Sequence, residues 1–428
     1  VAASDPRGAV AAVYRMESAR LVAGLARLVR DVGLAEELAQ DALVAALERW
    51  PASGVPENPG AWLMTTAKRR AIDLLRRGRR FGRKQGELER ARLALEALAA
   101  PDPPTDGVGD DLLRLLFVAC HPVLPTDGRV ALTLRLLAGL TTEEIARAFL
   151  VPEATVAQRI VRAKRTLAGA RVPFEVPEGD GLAARLPSVL EVVYLVFNEG
   201  YTATRGGDWL RPALCEEALR LGRVLAGLLP DEPEVHGLVA LMELQASRLP
   251  ARVGPAGEPV LLLDQDRGRW DWVLVRRGLD ALARAEALGG AGGPYALQAA
   301  IAACHARART AAETDWARLA ALYARLALRA PSPVVELNRA VAVAMAEGPA
   351  AGLAIVDALA AEPSLRGYHL LPSVRGDLLR RLGRLDEARQ ELLRAASLTR
   401  NARERALLLE RAAACAAGPP GAPGPPPA

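Results

Sequence analysis

Aromatic residues make up only 4% of this 428-residue chain, and there are four histidines. Leu, Ala and Val must therefore fill its interior. That composition suits helices, because Ala and Leu stand near the top of the helix-propensity scale. Cysteine is as scarce. Cys120, Cys215, Cys304 and Cys415 lie far apart with no CxxC pair, which argues against a zinc ribbon and against a disulfide framework. No apolar run approaches the length of a membrane span, and the first residues show no secretory-signal pattern. The expected setting is soluble, cytoplasmic and reducing, with no membrane contact. Lysine is nearly missing: Lys68, Lys84 and Lys164 are the only three among 55 basic residues. His121, His236, His305 and His369 are scattered, so no ligand set forms in sequence, and neither a metal nor a cofactor is expected.

What is present is helical periodicity. Half the chain is apolar, and almost nothing alternates as a strand does, so the predicted fold class is all-α. Three stretches punctuate it. Residues 100–110 (APDPPTDGVGD) and 172–181 (VPFEVPEGDG) read as linkers, and residues 418–428 (GPPGAPGPPPA) as a low-complexity, disordered tail. The expected domains are therefore 8–99, 111–171 and a long helical piece over 182–417.

The net charge is a modest +5, but it is unevenly spread. Residues 34–50 (LAEELAQDALVAALERW) predict an amphipathic helix with Glu36, Glu37, Gln40, Asp41 and Glu48 on one face. A loop over 51–57 follows, then a second helix opening at Asn58-Pro59. Between Lys68 and Lys84 there are nine basic residues and one acid, Asp73. Lys68, Arg69, Arg70, Arg76 and Arg77 belong to this strip, which suits phosphate neutralisation whatever the base sequence. Trp62 on the same helix is either a core aromatic or a stacking platform for an unpaired base.

Residues 140–167 (LTTEEIARAFLVPEATVAQRIVRAKRTL) have the grammar of a helix-turn-helix. Thr142 is the expected cap of the first helix, and Ile145, Ala146 and Phe149 its inward face. On the second helix Val156, Ile160, Ala163 and Leu167 share one side. Thr155, Gln158, Arg159, Arg162 and Arg165 share the other, as a recognition helix requires. Gln158 suits adenine and Arg159 suits guanine by bidentate pairing.

Together these residues resemble the extracytoplasmic-function (ECF) sigma factors of the sigma-70 family. AEELAQDAL, the loop, and AWLMTTAKRRAIDLLRR resemble their region two. In region two Lys68-Arg69 stand where Arg-Asn is common; EEIARAFLVPEATVAQRIVRAKRTL resembles their region four, with Ala154 where Gly is usual. The resemblance implies that Glu37, Gln40 and Asp41 dock on the β′ clamp helices of core RNA polymerase. It implies that the loop 51–57, Lys68, Arg69 and Arg70 engage and open the −10 element of promoter DNA, and Trp62, Arg76 and Arg77 on the same helix join them as candidate −10 residues. It implies that Thr155, Gln158, Arg159, Arg162 and Arg165 contact the −35 element.

Beyond residue 182 no basic strip of comparable density follows. Residues 381–398 (RLGRLDEARQELLRAASL) closely resemble the second half of a tetratricopeptide (TPR) repeat. Residues 337–359 carry Gly348 in the place of Gly383, so a TPR-like α-solenoid is expected. FNEGYTAT (197–204), LDQDRGRWDW (263–272), TDW (314–316) and SPVVELNR (332–339) resemble the extension of one ECF group (group 42). For Asp264, Asp266 and Asp271, capping and turn formation outweigh an acid/base or metal site. The sequence thus predicts a non-enzymatic sigma factor, with a regulatory protein or ligand left open for the fused extension. The competing reading is a TPR scaffold with a DNA-binding domain that never joins polymerase.

Overall fold

The computed structural model describes residues 6–80, 107–149, 151–202, 210–255, 257–399 and 401–416. Eighteen α-helices run through them, with four short 3-10 turns and no strand among the described residues. The expected tail, Arg83, Lys84 and most of the first linker lie outside the described residues. The chain divides into two compact units at residues 195/196.

In the first unit the helices are α1 (Pro6–Val29), α2 (Val32–Ser53), α3 (Pro59–Arg80), α4 (Gly107–Ala119), α5 (Thr126–Leu136), α6 (Thr142–Phe149) and α7 (Glu153–Ala170). The helix α8 (Asp180–Tyr201) contains the division. Helix α2 is longer than its pattern predicts. It starts on Asp31, whose carboxylate accepts from the Leu34 N–H, and it carries Pro51 within its last turn. Gly54 at φ +80° then turns the chain toward α3. The core joins Leu21, Val22 and Leu25 of α1 to Leu38, Ala42 and Ala46 of α2 and to Leu63, Ala67 and Ala71 of α3. Small Ala side chains at these contacts let the helices approach closely.

The second unit continues through α9 (Pro212–Leu228), α10 (Pro233–Ala246), α11 (Trp272–Ala287), α12 (Pro294–Arg307), α13 (Trp316–Arg329), α14 (Pro333–Ala346), α15 (Pro349–Leu359), α16 (Leu370–Arg381), α17 (Leu385–Leu398) and α18 (Ala402–Ala416). Successive helices pack on one another. Gly348 and Gly383 sit at φ +108° and +77° in the short turns α14–α15 and α16–α17. A residue with a Cβ is strained there, which explains why the two glycines recur at matching places. Asp266, Asp271 and Asp315 serve local structure. Asp271 caps α11 through the N–H groups of Val273 and Leu274, Asp266 accepts from Gly268, and Asp315 caps α13.

One polar knot in this unit has a measurable consequence. Buried Arg267 stacks on Trp270 and donates to the carbonyls of His305 and Ala308. Burial, with Arg248 and Arg267 nearby, pushes the His305 imidazole down to about 4 from its ordinary 6.5. The unfolded chain therefore gains a proton below about 6.5 that the folded chain refuses. Stability of this unit is expected to fall as pH drops from about 6.5 to about 4, by up to ~3 kcal/mol. Urea midpoints measured across that range check it, and His305→Phe should flatten the slope.

Candidate nucleic-acid and polymerase interface

Helix α6 opens on a reciprocal cap. The Glu144 N–H donates to Thr141 Oγ1 (3.1 Å), while the Glu144 carboxylate accepts from the Thr141 N–H (2.8 Å). The cap is thus Thr141, not the expected Thr142, because only Thr141 stands three residues before the Glu that answers it. Ile145 and Ala146 of α6 are buried and Phe149 half-buried. Pro152 starts α7, where its missing N–H costs nothing.

Helix α7 separates its two sides cleanly. Val156, Ile160, Ala163 and Leu167 are buried. Gln158, Arg162 and Arg165 are exposed, and Thr155 and Arg159 half-buried. The Arg159 guanidinium pairs with Asp127 of α5 at 2.8 Å. Both side chains are a third or more exposed, so the pair contributes little and can be exchanged for a base edge. The five expected −35 residues therefore lie along one accessible stripe at helical spacing.

Helix α3 places Trp62 half-buried, edge-on to the ring of Trp50 at 5.4 Å between centroids. Trp50 is the core aromatic of the pair and Trp62 its partly open neighbour. Arg69 is exposed, while Lys68 and Arg70 are half-buried. Arg70 reaches Asp41 of α2 at 3.3 Å, so a candidate −10 residue and a candidate docking residue touch. Arg76 and Arg77 fall within α3, but their side chains lie outside the described residues.

The acidic helix is divided differently from its pattern. Glu37, Asp41 and Glu48 are exposed and Gln40 half-buried. Exposed Val44 and Leu47 interrupt them, giving an amphipathic outer stripe. Glu36 does not share that face. One residue is a 100° step around a helix, and Glu36 turns inward, only 5% exposed. There it accepts from Arg135 of α5 at 2.6 Å, pairs with Lys164 of α7, and accepts from Gln40. One carboxylate thus joins the acidic helix to the recognition helix. Glu36→Ala leaves two half-buried cations facing each other, and about 2 kcal/mol of local stability is expected to go. Faster amide exchange in α7 than in α9 or α10 would register it.

Comparisons with known proteins agree with this layout. Residues 13–81 match the family model of sigma-70 region 2, and residues 114–167 that of sigma-70 region 4. Over 160 residues the chain is 31% identical to the ECF RNA polymerase sigma factor SigK of Mycobacterium sp. (strain KMS), covering 36% of this chain and 77% of that one. The SigK of Mycolicibacterium vanbaalenii is 31% identical over 172 residues, 38% of this chain and 82% of its own. The chain belongs to the ECF branch of the sigma-70 family. It is a sigma factor and directs transcription initiation, so a scaffold that never joins polymerase is not favoured. Polymerase core and promoter DNA are its partners at that level.

The remainder has relatives too. Residues 185–286 match a family of unknown function (DUF6596). An uncharacterized protein of Rhizobium meliloti (strain 1021), R00370, is 44% identical over 393 residues, 90% of either chain. The fused arrangement is therefore shared by another long chain. No solved structure matches. Among the described residues no helix is long and apolar enough to cross a membrane. Nor does any group of three or more His, Cys, Asp or Glu among them suit a metal ion. Cys120 is buried against Thr133, and burial pushes its thiol up to about 12, so no thiolate stands beside His121.

The sequence missed two features of this unit. It placed Glu36 with the outward acids, and it gave no sign that Arg30 and Arg171 end α1 and α7 in the left-handed region. The Arg135 and Lys164 that claim Glu36 stand about a hundred residues away, beyond any local pattern.

Proposed function

We propose that Thr155, Gln158, Arg159, Arg162 and Arg165 of α7 read the −35 element. Trp62, Lys68, Arg69, Arg70, Arg76 and Arg77 of α3 engage and open −10, and Glu37, Gln40 and Asp41 of α2 dock on the β′ clamp helices. The observation that carries this reading is the segregation on α7, where every apolar i, i+4 and i+7 position is buried and the opposite side stays open. Such a helix presents base-contacting groups early and phosphate-contacting cations late.

In this reading residues 8–99 form region two and 111–171 region four; of the expected linker 100–110, residues 107–110 already belong to α4. Residues 182–417 form a TPR-like domain that controls the sigma module, and 418–428 a tail. The protein works in the cytoplasm and has no catalytic centre. The paired helices around Gly348 and Gly383 support the repeat assignment, because Gly352 lies against Ala340 and Ala344, and Gly376 against Ala388 and Leu392. A Cβ at either glycine would push into those neighbours.

Footprinting of the reconstituted holoenzyme tests the assignment. With Arg159→Ala and Arg162→Ala together, protection at −35 is expected to vanish while −10 protection survives at higher protein concentration. Each lost bidentate contact is worth roughly 1–3 kcal/mol. An unchanged footprint contradicts the role given to α7.

A further inference from the structure

A cavity of about 640 Å³ lies inside the first unit. Its walls come from the end of α1, the start of α2, α4, the end of α7 and residues 172–175. Five cations line it, Arg27, Arg30, Arg114, Lys164 and Arg171, against two acids, Asp31 and Glu175.

Both acids have other neighbours besides the cavity. The Asp31 carboxylate caps α2, and Glu175 acts electrostatically on Arg185, which is not part of the lining. Arg27 and Arg114 share the single carboxylate of Asp111, at 2.9 and 2.7 Å. Lys164 shares Glu36 with Arg135. The lining thus carries five cations to two acids, and a small anion entering it replaces water around charges already gathered.

A second observation is independent of charge. Seven described glycines have positive φ, the usual choice for a left-handed residue just past a helix. Only two described non-glycine residues do, Arg30 at 54° and Arg171 at 51°. Both are arginines, both end helices, and both line this one cavity. A side chain in that conformation costs roughly 1 kcal/mol relative to glycine. Capping alone would be served better by Gly, so the guanidiniums account for the cost. Both side chains are exposed toward solvent. Besides the cations, Val32, Val118, Leu167 and half-buried Phe174 supply apolar lining.

We propose that this cavity binds a polyphosphate anion, with room and an apolar wall for an attached nucleoside. Several phosphates in a row match several cations around one space, as a carboxylate or single phosphate does not. Arginine suits them because its planar fork meets two phosphate oxygens at once. The anion bridges the ends of α1 and α7, and so ties the −10 module to the −35 module. The site itself does not depend on the promoter roles assigned above; only that consequence does.

The test is calorimetric titration of the full chain, at low salt, with inorganic tripolyphosphate and separately with ATP. Saturable binding of either is expected, in the submillimolar range. Equal affinity means that the phosphate chain alone is recognised, and tighter ATP binding means that the apolar wall contributes. The variant Arg30→Gly with Arg171→Gly relieves the left-handed strain, so it should fold at least as well and bind tenfold or more weakly. Arg389→Ala with Arg394→Ala, exposed on α17 in the second unit, should bind unchanged. The idea is overturned if neither probe binds, or if the glycine variant binds as tightly as the parent. An unchanged −35 footprint in Arg159→Ala with Arg162→Ala, beside saturable anion binding, would strike the promoter assignment and leave this site standing.

Discussion

Reversing Glu37 and Asp41 together to Lys is expected to lower affinity for core polymerase by roughly 100-fold. The two acids stand one turn apart on the outer stripe of α2, with Val44 and Leu47 beside them. A surface with exposed aliphatics framed by acids suits a basic, amphipathic partner helix. Charge reversal replaces attraction by repulsion at the centre of that contact, and like charges across an interface cost several kcal/mol. The milder pair Glu37→Gln and Asp41→Asn removes attraction only, and roughly a tenfold loss is expected. Neither variant should unfold the protein, since both positions are exposed and the inward pairing belongs to Glu36. Fluorescence anisotropy with labelled protein and purified core measures both. Unaltered affinity would remove α2 from the polymerase interface.

Trp62→Ala should slow promoter opening by about tenfold or more at saturating DNA, because base–aromatic stacking is worth roughly 1–3 kcal/mol per base. The structure complicates the reading of that loss, since Trp62 also rests edge-on against buried Trp50. Losing such an aromatic pair costs about 0.5–1.5 kcal/mol of stability by itself. Trp62→Phe separates the two roles. Phe keeps an aromatic edge against Trp50 but offers a smaller face to an unpaired base, so stability should recover more than opening. Permanganate reactivity of thymines near −10 reports opening, and urea midpoints report stability. If both variants open DNA at the parental rate, Trp62 serves the core alone.

Much of this was legible before any coordinates. The two sides of α7 follow from spacing alone, because Val156, Ile160, Ala163 and Leu167 recur at the helical period and the polar residues fill the other side. The all-α class follows from the same periodicity together with the lack of alternating segments. The repeat-like glycines were also readable, and their positive φ values give the physical reason.

What was not legible has both local and distant causes. Two adjacent threonines look alike as caps, and the Glu144 carboxylate selects Thr141 only through its geometry. Glu36 and Glu37 look alike in sequence, and Arg135 and Lys164 tell them apart. The buried Arg267 finds carbonyls some forty residues on, a satisfaction that no local motif announces. Arg30 and Arg171 hold conformations that the sequence would have assigned to glycine. At Glu36 and Arg267 the missing information was tertiary, and Glu36 joins the acidic helix to α7.

Transcription from reconstituted components tests the central claim most directly. Core polymerase, this chain and a library of bacterial promoter fragments are combined, and the 5′ ends of the transcripts are sequenced. The account predicts new 5′ ends that share a −35 and a −10 element, depend on the added chain, and disappear with the Glu37→Lys, Asp41→Lys variant. Transcripts no different from those of core alone, across a library that serves other sigma factors, would contradict it.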